Sequence, residues 1–202
     1  MALTIYGSPN SRTMRVLWAA RELDLEFTHI PYEYDDPALK QPEFLRINPA
    51  GQIPAIDDDG FVLSESLAII LYLAKKYGGP PLYPATLQGE ADVWRWTLWA
   101  QAQLEPWVQG DALLKDVIAA AGERARPFVE KSLSLFEDRL AGRPWILGGD
   151  FSAADLTVGA VLSPSRAAKL PLERYPNIKA WHLRCYSRPA AVKTRGGPSY
   201  VA

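Results

Sequence analysis

Ser64-Glu65-Ser66 stands directly before a strongly apolar stretch, Leu67 to Tyr77. That stretch predicts a helix, whose first-turn N–H groups lack intrahelical acceptors and can hold a carboxylate, while Glu65 can hold an ammonium. Upstream, Pro54 interrupts a run, Gln52-Ile53 and Ala55-Ile56, that otherwise reads as a buried strand. Proline has no N–H for a ladder, so the chain must bend there. The cis form of an X–Pro bond costs only about 0.5–1 kcal/mol, and a cis Ile53–Pro54 bond is predicted. Such a bend leaves the N–H and C=O of Ile53 turned away from the sheet, open to an extended ligand. The plain alternatives are a trans proline opening an edge strand and a Ser-Glu-Ser that only caps a helix. A free edge, a helix start and Glu65 together suit a small zwitterionic peptide.

The elements that must position these residues follow from periodicity and turn chemistry. Leu3 to Tyr6 predicts a short strand, Gly7-Ser8-Pro9-Asn10 a turn, and Ser11 to Leu23 a helix with Ser11 at or near its N-cap. In that helix Met14, Val16, Leu17, Trp18, Ala20 and Leu23 form the apolar side, and Arg12, Arg15 and Arg21 are expected to be more exposed. Glu26 to Pro31 predicts a second strand, parallel to the first through a right-handed crossover. Tyr34 to Asn48 reads as a loop with a short helical piece carrying Lys40, and Asp57-Asp58-Asp59-Gly60 as a hairpin turn between Ile53–Ile56 and Phe61–Leu63. Strand signals end at GGPPLYPA, residues 78–85.

Beyond that breaker the chain reads as helical. Thr86 to Gly110 carries Trp96, Trp99, Gln103 and Trp107 close to one face, and Glu123 to Leu140 is a second amphipathic helix. Ser152 and Asp155 form a capping-box arrangement ahead of the nearly all-apolar Leu156 to Leu162, and Pro176 starts a last helix, Asn177 to Tyr186. The tail from Gly196 to Ala202 is expected to be loose.

With 202 residues and a net charge of −1, the chain has no basic surplus to recommend it to nucleic acid or an anionic membrane. No run of about 18 apolar residues and no leader pattern is present, so no membrane span is expected. The single Cys185 excludes an internal disulfide and a thiolate metal cluster, and His29 and His182 are too few for a convincing metal site. A reducing, cytoplasmic setting is expected.

Four blocks in order, YGSPNSRTMRVLW, NPAGQIPAI, SESLAIILYL and FSAADLTVG, make the whole chain resemble a cytosolic glutathione S-transferase of the serine type, theta- or phi-like and bacterial. The resemblance implies an α/β thioredoxin-like domain (βαβ-ββα) over residues 1–77, a linker over 78–86 and an all-helical domain over 87–202. It implies glutathione as co-substrate, no permanently bound cofactor, and a homodimer. Gln52-Ile53-Pro54 looks like the element that pairs with the cysteinyl part of glutathione. Glu65 and Ser66 match the pair holding the γ-glutamyl amino and carboxylate ends. Lys40 falls where a basic residue approaches the glycyl carboxylate, although the His that some members place beside it is Leu39 here.

On the same resemblance Ser11 is the hydroxyl that activates the thiol, with Tyr6 the alternative and Ser8 a structural residue. Tyr6, Trp107 and Asp111 are candidates by position for the electrophile pocket, while Trp96 and Trp99 are expected in the core or at a subunit contact. The implied reaction is conjugation of glutathione to a hydrophobic electrophile. Peroxidase, isomerase or dehalogenase chemistry on the same site, and a non-catalytic binding protein of the same fold, are the alternatives. A mixed disulfide with the protein is not expected, because Cys185 is far from the first loop in sequence.

Overall fold

The structure, a computed structural model, describes residues 2–109, 115–168 and 170–195. The chain folds as two units. Met1–Gly79 is joined by the returning segment Pro189–Gly196, and Pro80–Arg188 makes up the helical unit. That return lies outside the plan of a single helical domain from 87 to 202.

The first unit is built on a four-stranded sheet in the order β2-β1-β3-β4. Its strands are β1 (Leu3–Tyr6), β2 (Phe27–Ile30), β3 (Ala55–Asp58) and β4 (Phe61–Ser64). β2 runs parallel to β1, with Ile5 opposite His29, and β3 and β4 are antiparallel. The parallel pair needs a crossover, supplied by α1 (Thr13–Glu22). The β3–β4 hairpin turns at Asp59 and Gly60, both at positive φ (53° and 90°), the backbone a two-residue type I′ turn demands. Asp57 Oδ1 accepts from Gly60 N–H at 2.7 Å and fixes that turn. Asp57 and Asp58 therefore belong to β3, and Ile53, expected within the strand, lies before it.

Because strand side chains alternate, the sheet has two buried faces. Leu3, Ile5 and Ile56 pack with Val16, Leu17 and Ala20 of α1 and with Ile69 and Leu73 of α3 (Ser66–Leu73). On the opposite face Leu39, Phe44, Ile53 and Ala55 pack with Tyr6, Tyr32 and Ile47. Lys40 ends a 3-10 turn (Pro37–Lys40), and α2 (Pro42–Leu45) follows it. The returning α10 (Pro189–Arg195) packs on α1, where Arg21 Nη1 donates to Thr194 Oγ1 at 2.9 Å. One α1 residue departs from expectation: Arg15 is only 2 % exposed. Its charge suggests the solvent face, but its long side chain turns inward to a polar partner on α3.

α3 gives way to a π-helical turn, Ala74–Gly78, that carries Lys76 and Tyr77 to Asp58. The buried Asp58 carboxylate accepts from Lys76 Nζ, Tyr72 Oη and Tyr77 Oη, each at 2.8 Å. Burial by itself would raise the Asp58 pKa, but hydrogen bonds from Lys76, Tyr77 and Tyr72 outweigh it and hold the carboxyl below its ordinary range. Asp58→Ala is expected to lower stability by about 2 kcal/mol in urea unfolding, since it strands three donors. A depressed carboxylate stabilises above its unfolded pKa, so the advantage of wild type over Asp58→Asn should vanish as pH falls through the carboxylate range. An unchanged difference at acid pH would exclude this role.

The helical unit comprises α4 (Leu87–Trp99), a π turn (Ala100–Leu104), α5 (Glu105–Gln109), α6 (Lys115–Leu140), α7 (Ala153–Val161), α8 (Pro164–Ala167) and α9 (Pro176–Tyr186). α6 starts earlier than the expected Glu123 and runs through Pro127, and α8 and α10 are helices without a forecast in the sequence. Trp96 is buried against Trp99 and Phe136, with ring centroids 5.4 and 5.3 Å away. At the start of α7, Asp155 Oδ2 accepts from Ser152 N–H and Oγ–H at 2.9 and 2.7 Å. Among the described residues, no helix is long and apolar enough to cross a membrane.

Candidate functional site

Gly7 brings the first loop against the proline turn. Its φ is +125°, and a Cβ there would lie 2.2 Å from Thr13 Oγ1 and 2.8 Å from Ile53 Cβ, so only glycine fits. The loop is tied to β2 and the residues after it. Gly7 N–H donates to the Ile30 carbonyl at 2.8 Å, His29 Nε2 to the Gly7 carbonyl at 2.8 Å, and Ser8 Oγ to Glu33 Oε1 at 2.9 Å. The fully buried Ser8 also accepts from Asn10 N–H at 3.2 Å, which makes it a turn residue. His29 and Glu33 carry no signal in the sequence, because their role is set by strand pairing.

Ser11 sits at the mouth of α1 with its hydroxyl engaged. Ser11 Oγ is 2.7 Å from the Ser8 carbonyl and 2.8 Å from Thr13 Oγ1, and it accepts from Thr13 N–H at 3.0 Å. A hydroxyl has one proton, so it serves one of those two acceptors at a time. The Ser8 carbonyl also receives Ser11 N–H at 3.0 Å and keeps a partner if the hydroxyl turns away. Capping and donation to an incoming group are therefore compatible: Thr13 N–H holds the oxygen while the proton is free to move.

The Ile53–Pro54 bond is cis, as is Pro80–Pro81, for which the sequence carries no forecast. Among the described residues the N–H and C=O of Ile53 have no hydrogen-bond partner. The turn is held from behind by Asn48, whose Nδ2 donates to the Gln52 carbonyl at 2.7 Å, a support that the sequence does not announce. Gln52 is exposed and Lys40 Nζ donates to the Gly51 carbonyl at 3.1 Å, so both flank the same turn. Leu39, where some family members place a histidine, is a core residue.

Glu65 is exposed and adopts φ +70°, ψ 107°, a conformation non-glycine residues rarely hold without a reason at a site. Ser66 is its buried neighbour, and Arg15 Nη1 donates to Ser66 Oγ at 3.3 Å. Loop, proline turn and α3 start are thus joined within the first unit by Gly7–Ile53 and Arg15–Ser66 contacts.

The electrophile candidates Tyr6 and Trp107 belong to different units. Tyr6 is stacked on Tyr32 with centroids 6.4 Å apart and edge-on to Phe44 at 6.0 Å, a packing role. Burial first, then the Asp57 charge, pushes its pKa up, so the phenol stays protonated at neutral pH. Trp107, in the helical unit, flanks a groove of about 510 Å³ with Gln103, Phe128, Lys131, Ser132 and Leu135. Asp111 lies outside the described residues.

A mixed four-stranded sheet with flanking helices, an open backbone edge at a cis-proline turn and a following helical unit define the glutathione-transferase fold. The N-terminal domain pattern of the glutathione S-transferases matches residues 1–75 and the C-terminal domain pattern residues 119–184. The chain is 32 % identical to glutathione S-transferase 3 of Zea mays, covering 95 % of this chain and 92 % of that one. It is 29 % identical to the disulfide-bond oxidoreductase YfcG of Escherichia coli, over 93 % and 92 % of the two chains. The crystal structure of glutathione transferase F7 from Populus trichocarpa matches with a TM-score of 0.79 at 31 % identity, over 97 % and 99 % of the chains. The chain belongs to the glutathione S-transferase family.

Proposed function

We propose that this protein is a serine-type, theta- or phi-like glutathione transferase that binds reduced glutathione on residues 1–77 and conjugates it to a hydrophobic electrophile. The observation that carries the reading is the backbone of Ile53, without a hydrogen-bond partner among the described residues, in a residue whose side chain packs against Gly7 of the loop bearing Ser11. Glutathione's cysteinyl backbone pairs with Ile53, assisted by Gln52, and its γ-glutamyl end meets Glu65 and Ser66. Its glycyl carboxylate faces Lys40. The sulfur loses its proton to solvent, Ser11 Oγ–H donates to the resulting thiolate, and the thiolate's electron pair forms the new C–S bond. In a displacement, the halide or similar group leaves with the electrons of the broken bond. An addition instead ends with a proton from solvent. Trp107 and Asp111 are the second unit's candidates for electrophile contact. A cytoplasmic setting and a homodimer complete the reading, with the exposed Phe61 and Val62 of β4 available to a partner.

Glutathione binding in a calorimeter and turnover of a model aryl halide test this reading, and failure of both removes it. Tyr6→Phe is expected to leave the thiolate absorbance of bound glutathione unchanged, because the ring packs and the hydroxyl is dispensable. Loss of that absorbance would transfer the activating role from Ser11 to Tyr6.

A second reading is favoured by the YfcG similarity: glutathione-dependent reduction of small disulfides. The buried Cys185 leaves glutathione as the thiol in that case too. Turnover of a small disulfide exceeding that of an aryl halide, an organic hydroperoxide and a maleyl isomer would establish it.

A further inference from the structure

Arg15 and Ser66 form a buried donor pair whose hydrogen-bond direction is fixed by chemistry. A guanidinium has five N–H donors and no acceptor, so in the 3.3 Å contact Arg15 Nη1 must donate and Ser66 Oγ must accept. The serine hydroxyl has one proton of its own, and among the described residues no group accepts it. Ser66 is 4 % exposed, so this donor is also largely withdrawn from water. A buried donor without an acceptor is unfavourable, and a ligand acceptor would recover that cost. Ser66 also opens the eight residues of α3, whose first-turn N–H groups have no acceptors inside the helix. Hydroxyl proton, helix N-terminus and a permanent cation behind the serine all favour an anionic oxygen ligand. Arg15 has further interactions of its own that hold it in place.

We propose that Arg15 is a positioning residue for recognition of the γ-glutamyl carboxylate: by occupying a lone pair of Ser66 Oγ it commits the serine's proton to that carboxylate. The inference rests on the proposed glutathione site and adds to it the residue that, by donating to Ser66 Oγ, leaves the serine's own proton for the ligand. An ammonium on the ligand side has no acceptor to offer these donors, so the pair selects an accepting oxygen at this end, and a carboxylate most strongly.

The test compares reduced glutathione with γ-aminobutyryl-cysteinyl-glycine, which lacks only the γ-glutamyl carboxylate, by calorimetry. Wild type should prefer glutathione by about tenfold or more, the size of one charge-assisted hydrogen bond. Arg15→Met should reduce that preference to less than about threefold while the analogue's affinity stays within about twofold of wild type. Ser66→Ala should lose the same preference, and the double variant should be no worse than either single one. A purely structural Arg15 would weaken both ligands together, or leave the preference intact, and either result overturns the proposal. So do additive effects in the double variant. If Arg15→Met does not fold, Arg15→Leu, which likewise has no donor, replaces it: a reduced preference supports the proposal and a wild-type preference overturns it. Wild type binding both ligands equally would overturn this inference alone, whereas wild type binding neither would remove the glutathione reading itself.

Discussion

Ser11→Ala is expected to return the thiol of bound glutathione to its ordinary pKa of about 8.5, and to lower kcat/KM at pH 7 by roughly twentyfold. The size follows from the thiolate fraction. A thiol near 6.5 is about three-quarters ionised at pH 7, and one near 8.5 only a few per cent. The lost interaction is a single hydroxyl-to-thiolate hydrogen bond, reinforced because Thr13 N–H donates to the same oxygen at 3.0 Å and polarises its O–H. The same substitution removes a cap, so a stability loss of about 1 kcal/mol should accompany it. The two effects separate cleanly: Ser11→Thr restores the hydroxyl and should recover most of the thiolate absorbance. Thiolate absorbance identical in wild type and Ser11→Ala would reduce Ser11 to the N-terminal cap that its contacts with Ser8 and Thr13 already make it.

Asp155→Ala should destabilise the protein more than either Asp58→Ala or Ser11→Ala, with a loss of about 3 kcal/mol or more read from urea unfolding, since several buried donors lose their acceptor together. The fully buried carboxylate receives Ile146 N–H at 2.8 Å, Trp181 Nε1–H at 2.8 Å, and Ser152 N–H and Oγ–H. Those donors come from the segment before α7, from its first turn and from α9, so one side chain ties three parts of the helical unit. Alanine leaves them buried without acceptors. Burial pushes the Asp155 carboxyl above its ordinary pKa, and the bonds from Ile146, Trp181 and Ser152 only partly offset it. Its titration therefore has the opposite sign to that of Asp58. Stability from Asp155 protonation is fully present below the unfolded carboxylate value and is lost as pH rises through the raised one. A loss under about 1 kcal/mol would mean that the unit tolerates open donors at this point.

The two aspartates also mark how far local reasoning reaches. Asp155 is legible because Ser152 and Asp155 are three residues apart, and a capping box is a local pattern. Asp58 reads as a turn former, since its partners Tyr72, Lys76 and Tyr77 arrive only after β4 and α3 have turned back over β3. Arg15 escapes local reasoning for the same cause. A helical wheel puts charge outside, and the polar group that makes burial tolerable, Ser66, is 51 residues away. The return of α10 onto α1 has no signature either, because its cue is a surface on α1 rather than a pattern in Pro189–Arg195.

By itself, the sequence determined the four strands and most of the helices in order, the bend at Pro54, a helix beginning just after Ser11 and another at Ser66, and the family, because turn chemistry, caps and periodicity act over a few residues. Only the tertiary structure decided which groups those elements leave open or committed: Ile53 without a backbone partner among the described residues, Ser8 donating to Glu33, and Ser66 Oγ accepting from Arg15. Hydrogen-bond direction depends on who stands opposite, and that is settled by packing between segments distant in the chain.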